Sequence, residues 1–232
     1  MADLVMLDTR FVGRDQEAPA REQVDVIEDP TRTLLGAAQE QWMFGELRES
    51  TKAGVTWQLL GQQIMFAHMA PGGRPAVNTD TWDGYRPARD RVIEFLDTHQ
   101  IRNGVILTGD IHSSWAYDIA RDPWRGYDAK TGRGTLAVEF ATPAISSPGW
   151  GTADPEKAVQ RSRDYLAARP HLHWVEGVHR GYFVLDLQAT QLQADWFFVP
   201  TVTEKVETET FAKGFVSEAG APHLVEVGAP AK

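Results

Sequence analysis

The hydrophobic pattern opens on Leu4, Val5, Met6 and Leu7, four consecutive apolar residues suited to a buried strand. A buried strand so close to the start suggests that further sequence precedes it. Residues 11–33 hold Gly13, Pro19 and Pro30 among many charges and read as a long surface loop. Good helix formers run from Ala37 to about Ser50, interrupted by Gly45, with Ala38, Trp42 and Leu47 assigned to one face. Thr56 to Phe66 reads as a strand, and the turn-rich stretch Ala70 to Tyr85 as a loop containing Asp80-Thr81-Trp82-Asp83. Pro87 can stand early in a helix on which Ala88, Val92, Phe95, Leu96 and His99 recur at helical spacing to about Gln100.

Val105-Ile106-Leu107, flanked by Gly104 and Gly109, has the pattern of a central strand covered on both faces, and Thr135 to Thr142 reads as another strand. The run Thr142 to Gly151, with two Pro and two Gly, leaves it as an irregular loop. Asp154 as N-cap and Pro155 at the first helical position start a helix that continues to about Ala168, before Pro170. Gly181 to Leu187 and Leu192 to Val199 pair as an antiparallel hairpin, with Leu192, Ala194, Trp196 and Phe198 on one face. From Thr201 the chain turns Thr/Glu-rich and then Gly/Ala/Pro-rich, which reads as an extension over 201–232 with mobile last residues. The class is mixed α/β, one domain over residues 1–200 and no internal repeat.

Composition narrows the functions open to such a fold. The chain has 232 residues, 42% hydrophobic and 24% charged, with eight Trp, ample for a packed core. A net charge of −9 argues against a general nucleic-acid-binding face. It does not argue against a phosphate substrate, because a bound cation reverses the local potential of a carboxylate site. Absence of cysteine removes disulfides, thiolate nucleophiles and cysteine-ligated zinc. Residues 1–10 carry no basic stretch followed by a long apolar run, so neither an export signal nor a membrane span is encoded in them.

The most informative stretch is Gly109-Asp110-Ile111-His112, directly after the buried strand. In open α/β sheets ligands gather beyond the carboxyl ends of strands, where Asp110 and His112 would project from a rigid support. A carboxylate bridges hard cations and a neutral imidazole suits Fe or Zn, so the two residues are candidate metal ligands. Two ligands alone do not complete a catalytic site.

Leu107-Thr108-Gly109-Asp110-Ile111-His112-Ser113-Ser114-Trp115 resembles the distal metal-binding block of PhoD-like phosphatases, members of the calcineurin-like metallophosphoesterases. In the same order come Leu7-Asp8-Thr9-Arg10, Leu35-Gly36 with Gln39 and Trp42, Gln62-Gln63, Trp82-Asp83-Gly84-Tyr85, Ser146-Ser147-Pro148-Gly149, Gly181-Tyr182 and Asp195-Trp196. The resemblance covers roughly residues 3–200 and implies the C-terminal half of a metallophosphoesterase sandwich: mixed sheets flanked by helices, with the late hairpin. It implies hydrolysis of small phosphate mono- or diesters, with Asp110 and His112 contributing to a centre of iron and calcium ions. The family's other ligands belong to an earlier half whose motifs do not occur here, so the ligand set is incomplete and a missing N-terminal half is a possible partner. The alternative is a noncatalytic binding or assembly module derived from that fold. Full-length relatives are typically exported.

Other polar residues have plainer readings. Asp8 and Arg10 suit a backbone anchor or ion pair as well as a phosphate contact, and Trp82, Asp83 and Tyr85 suit packing. His171 and His173 have metal-like spacing but read as exposed loop histidines. His179 and Arg180 read as an edge-strand ion pair, and His68 as core or loop filler.

Overall fold

The computed structural model describes residues 1–232 and places ten strands in two sheets. Its elements in chain order are β1 (Ala2–Met6), α1 (Val24–Ile27), α2 (Gly36–Lys52), β2 (Trp57–Gln62), α3 (Arg86–Thr98), β3 (Gly104–Thr108), β4 (Ser114–Ala120) and β5 (Thr135–Ala141). They continue as α4 (Pro155–Ala168), β6 (Leu172–Glu176), β7 (Arg180–Leu187), β8 (Gln191–Val199), β9 (Thr210–Glu218) and β10 (Ala221–Val227). The first sheet has the order β1-β2-β3-β5-β4-β6, and the second is β10-β9-β8-β7. Strands β1, β2, β3 and β5 run parallel, while β4 is antiparallel to both β5 and β6. The second sheet is wholly antiparallel and contains the expected hairpin as β7 and β8.

Alternation along the strands builds two cores. Leu60, Ile106, Trp115, Tyr117 and Ile119 pack on the helix side with Leu47, Val92 and Leu96, whereas Trp57, Val105, Ala116, Val138 and Phe140 meet Leu192, Ala194, Trp196 and Phe215 of the second sheet. Buried indoles need a partner for their N–H, and two of them find it across the sandwich. Trp57 Nε1 donates to Gln188 O at 2.7 Å and Trp196 Nε1 to Ala141 O at 3.1 Å. Truncating either would cost about 3–5 kcal/mol.

Several local expectations hold. Helix α3 carries Pro at its start and buries Ala88, Val92 and Leu96, and Asp154 caps α4 by accepting from Lys157 N at 3.0 Å. Others are corrected. On α2 the inward residues are Met43, Leu47 and Ser50, with Trp42 47% exposed. Strand β1 is an edge strand buried through Val5 alone, leaving Leu4 and Met6 exposed. Strands β4, β6, β9 and β10 were not foreseen, and the last two place residues beyond Thr201 inside the second sheet. No helix is long and apolar enough to cross a membrane.

Candidate functional site

Parallel strands β1, β2 and β3 end on one edge of the first sheet, and polar side chains converge there. At the end of β1, Asp8 Oδ1 accepts from Arg10 N at 2.8 Å and Phe11 N at 2.9 Å, which turns the chain sharply. Gln39 of α2 clamps the same segment by accepting from Asp8 N and donating to Asp8 O. Past the end of β2, Gln63 Oε1 accepts from both Thr9 N and Thr9 Oγ1, at 2.8 and 2.6 Å.

A buried polar chain fixes the end of β3. Trp82 Nε1 donates to Gln62 Oε1 at 3.1 Å, Gln62 Nε2 to Thr108 Oγ1 at 2.6 Å, and Thr108 Oγ1 to Glu139 Oε1 at 2.6 Å. Glu139 is fully buried on β5 and also accepts from Phe66 N and Ala67 N, both at 2.8 Å. Burial pushes its carboxyl up to about 7, against the lowering effect of those donors.

From this support residues 109–113 cross from β3 to β4, which are not neighbours because β5 lies between them. The crossing is tight: Ile111 N donates to Gly109 O at 2.6 Å, and both Asp110 and His112 hold positive φ, 61° and 55°. Non-glycine residues in that region are uncommon and concentrate where the surroundings enforce an unusual side-chain direction. Here both candidate ligands are aimed at one pocket of about 210 Å³, whose walls include Asn78, Asp80, Pro148 and Trp150.

His112 Nδ1 lies 3.0 Å from Pro148 O, which assigns the proton to Nδ1 and leaves Nε2 free to bind a cation. The half-exposed Asp110 carboxylate stands 3.7 Å from Arg10 Nη2. Arg10 itself is held by Asp80, its Nη1 2.9 Å from both carboxylate oxygens, and Arg14 joins Asp80 at 2.6 Å. Burial alone would raise the Asp80 pKa, but the Arg10 and Arg14 guanidinium groups hold it below the usual carboxylate value.

The structure thus places Asp110 and His112 at the predicted strand end, on one pocket that Asp80 also lines. Trp82, Asp83 and Tyr85 are buried and structural, Asp83 accepting from Val77 N at 3.0 Å and Arg89 Nη1 at 3.3 Å. His68 is a buried filler, and His179 pairs with Glu176 at 3.1 Å. Arg180, expected in an ion pair, instead donates to Val178 O and Thr152 Oγ1.

His171 and His173 are neither exposed nor paired with each other. His171 is fully buried on the helix side with Nε2 3.0 Å from His68 O, whereas His173 faces Asp118 and His223. Asp118, His173 and His223 bring ligand atoms within 4.8 Å of one another, a spacing compatible with one cation. The sequence marks only His173 of this group, through its spacing from His171, since the members lie on three separate strands. The largest concavity, about 1040 Å³, lies against α3 among Arg86, Arg89, Asp90, Glu94 and Arg121, and does not include Asp110 or His112.

The family model described as PhoD-like phosphatase matches residues 1–196. The chain is 36% identical over 208 residues to "Alkaline phosphatase D" of Bacillus subtilis (strain 168), covering 88% of this chain and 33% of that protein. A solved structure titled "Structure of PhoD" superposes with a TM-score of 0.82 at 32% identity, covering 100% of this chain and 42% of the other. The chain therefore spans well under half the length of these relatives. With the family model matching residues 1–196 and the solved relative superposing over the whole chain, the chain belongs to the PhoD-like phosphatase family of calcineurin-like metallophosphoesterases.

Proposed function

We propose that this chain supplies the distal part of a metal-dependent phosphoester hydrolase centre, with Asp110 and His112 as metal ligands and a small phosphate mono- or diester as substrate. The supporting observation is the convergence of these two residues, both in left-handed backbone, on one pocket at the end of β3 in a chain of this family.

The residues fit a cation as partial ligands. Asp110 offers an accessible carboxylate, and the His112 ring is fixed by Pro148 O with Nε2 free. A carboxylate with an imidazole suits calcium and iron respectively, the pair implied by the family. When bound, the metal would polarise a phosphoryl oxygen. Arg10, anchored by Asp80 beside Asp110, offers its remaining N–H groups to a phosphate oxygen and orients it. The Trp82–Gln62–Thr108–Glu139 chain keeps the strand end from shifting.

The second reading is a noncatalytic module of the same fold. Iron and calcium content, with hydrolysis of a bis-aryl phosphodiester, tests both in wild type, Asp110→Ala and His112→Ala. Turnover and stoichiometric metal lost in both variants supports the hydrolase. Folded wild type with neither metal nor turnover leaves the module.

A further inference from the structure

Asp118 presents a separate problem of charge. It is fully buried on β4 and faces the second sheet, on the side shared with Ala116. No Lys or Arg pairs with it, and the imidazoles of His173 and His223 face it instead. Buried carboxylates are paired or coordinate metals. Its oxygens are used unequally, Oδ1 accepting only from Leu224 N at 3.0 Å. Onto Oδ2 converge His223 Nδ1 at 2.6 Å, Tyr127 Oη at 2.9 Å, and His173 Nε2 and Thr135 Oγ1 both at 3.2 Å. Three hydrogen-bond donors, with the His173 nitrogen close by, exceed the two lone pairs of one oxygen. Two imidazole nitrogens, a carboxylate and a phenol gathered at one point are donor types that a divalent cation takes.

The backbone is shaped to produce it. Ala116 pairs with Trp174 while Tyr117 pairs with Leu172, so His173 is the extra residue of a bulge that re-aims it toward the second sheet. His223 stands where the β9–β10 register breaks between Ala221 and Val225. Its ring lies against Gly132, where an added Cβ would stand 2.4 Å from His223 Cγ, so only glycine leaves the ring its place.

This cluster is far from Asp110. Asp118 lies opposite Val138, and Val138 opposite Val105, three residues before the end of β3, whereas Asp110 lies two beyond it. At ~3.3 Å per residue those five positions are roughly 17 Å along the strand direction, with two strand spacings to cross as well.

We propose that Asp118 Oδ2, His173 Nε2 and His223 Nδ1, with Tyr127 Oη beside them, form a structural site for a divalent first-row cation of the zinc class, tying β10 to β4 and β6. Mixed imidazole and carboxylate donors suit Zn²⁺, whose ligands stand ~2.0–2.2 Å from the metal, so the 2.6 Å His223–Asp118 contact would open to roughly 3.4 Å around the ion while the 3.2 Å His173 contact barely changes. The site is independent of the hydrolytic centre and stands if that reading fails.

The test uses the full chain, stripped with a chelator and titrated with Co²⁺ as a spectroscopic stand-in for Zn²⁺. One saturable equivalent should give visible d–d absorption and broaden the ring resonances of His173 and His223. The signal should persist in Asp110→Asn/His112→Gln and weaken in His173→Gln and His223→Gln by more than the roughly 10–100-fold that loss of an outer partner costs. Zn²⁺ should raise the wild-type unfolding midpoint. The wild-type resonances report on the site even if a histidine variant fails to fold. Absence of saturable binding, broadening at other histidines only, or unchanged binding in folded His173→Gln would overturn the site and leave a hydrogen-bonded hub.

Discussion

Glu139 gives a quantitative handle on the support beneath the candidate centre. Its carboxyl is raised to about 7 from an ordinary 4.5 by burial. Below pH 4.5 the folded and unfolded chains both hold the proton. Between pH 4.5 and about 7 the folded chain keeps a proton that the unfolded chain has released, so stability falls as pH rises. At about 1.4 kcal/mol per pH unit the loss approaches about 3 kcal/mol, complete above pH 7. Glu139→Gln cannot titrate. The fixed consequences of the amide, including an NH₂ facing either Thr108 or a backbone N–H, shift its stability by a constant at every pH. Urea unfolding followed by tryptophan fluorescence, for both proteins from pH 4.5 to 8, isolates the effect because all other titrations cancel in the difference. Wild type should lose about 3 kcal/mol relative to Glu139→Gln across this range. A difference that stays flat with pH would refute the reasoning and show that the three donors keep Glu139 ionised throughout.

His171 should act in the opposite direction. Burial holds its pKa down to about 3, so the unfolded chain binds the proton first as pH falls below 6.5, and at pH 5 about 2 kcal/mol is lost. Urea midpoints of His171→Gln should therefore be less acid-sensitive than wild type, and equal sensitivity would sink the assignment. Gly84→Ala would place a Cβ 2.1 Å from Thr79 O, backbone against backbone, and should cost at least about 2 kcal/mol in the same assay; a loss under ~0.5 kcal/mol would contradict the packing. Asp154→Ala removes the α4 cap and should cost about 1 kcal/mol by thermal unfolding, with Asp154→Asn close to wild type.

How much was legible in the sequence depended on how local the determining contacts were. Helices α3 and α4 announce themselves through proline at their starts, and β3 through an unbroken apolar run between glycines. Asp110 and His112 stand out in the sequence because they follow closely on that run. Strand β4 was missed because its seven residues include Ser114 and Asp118, both buried, so neither alternation nor a continuous apolar stretch marks it. In β6 the bulge at His173 breaks the period of two. The α2 face was misassigned because Trp42, the most hydrophobic residue on the assumed stripe, lies outward while Ser50 is buried. Nothing in sequence spacing could assemble Asp118 with His223, which stand 105 positions apart.

That separation bears on the order of folding during synthesis. Closing so long a loop carries a large entropic cost before any contact offsets it, and such contacts slow folding. Until the C-terminal strand has left the ribosome, the Asp118 carboxylate lacks both the amide of Leu224 and the imidazole of His223. A nascent chain halted before Ala221 should therefore keep β4 paired between β5 and β6 while leaving its buried carboxylate short of partners, a charge that only β10 relieves.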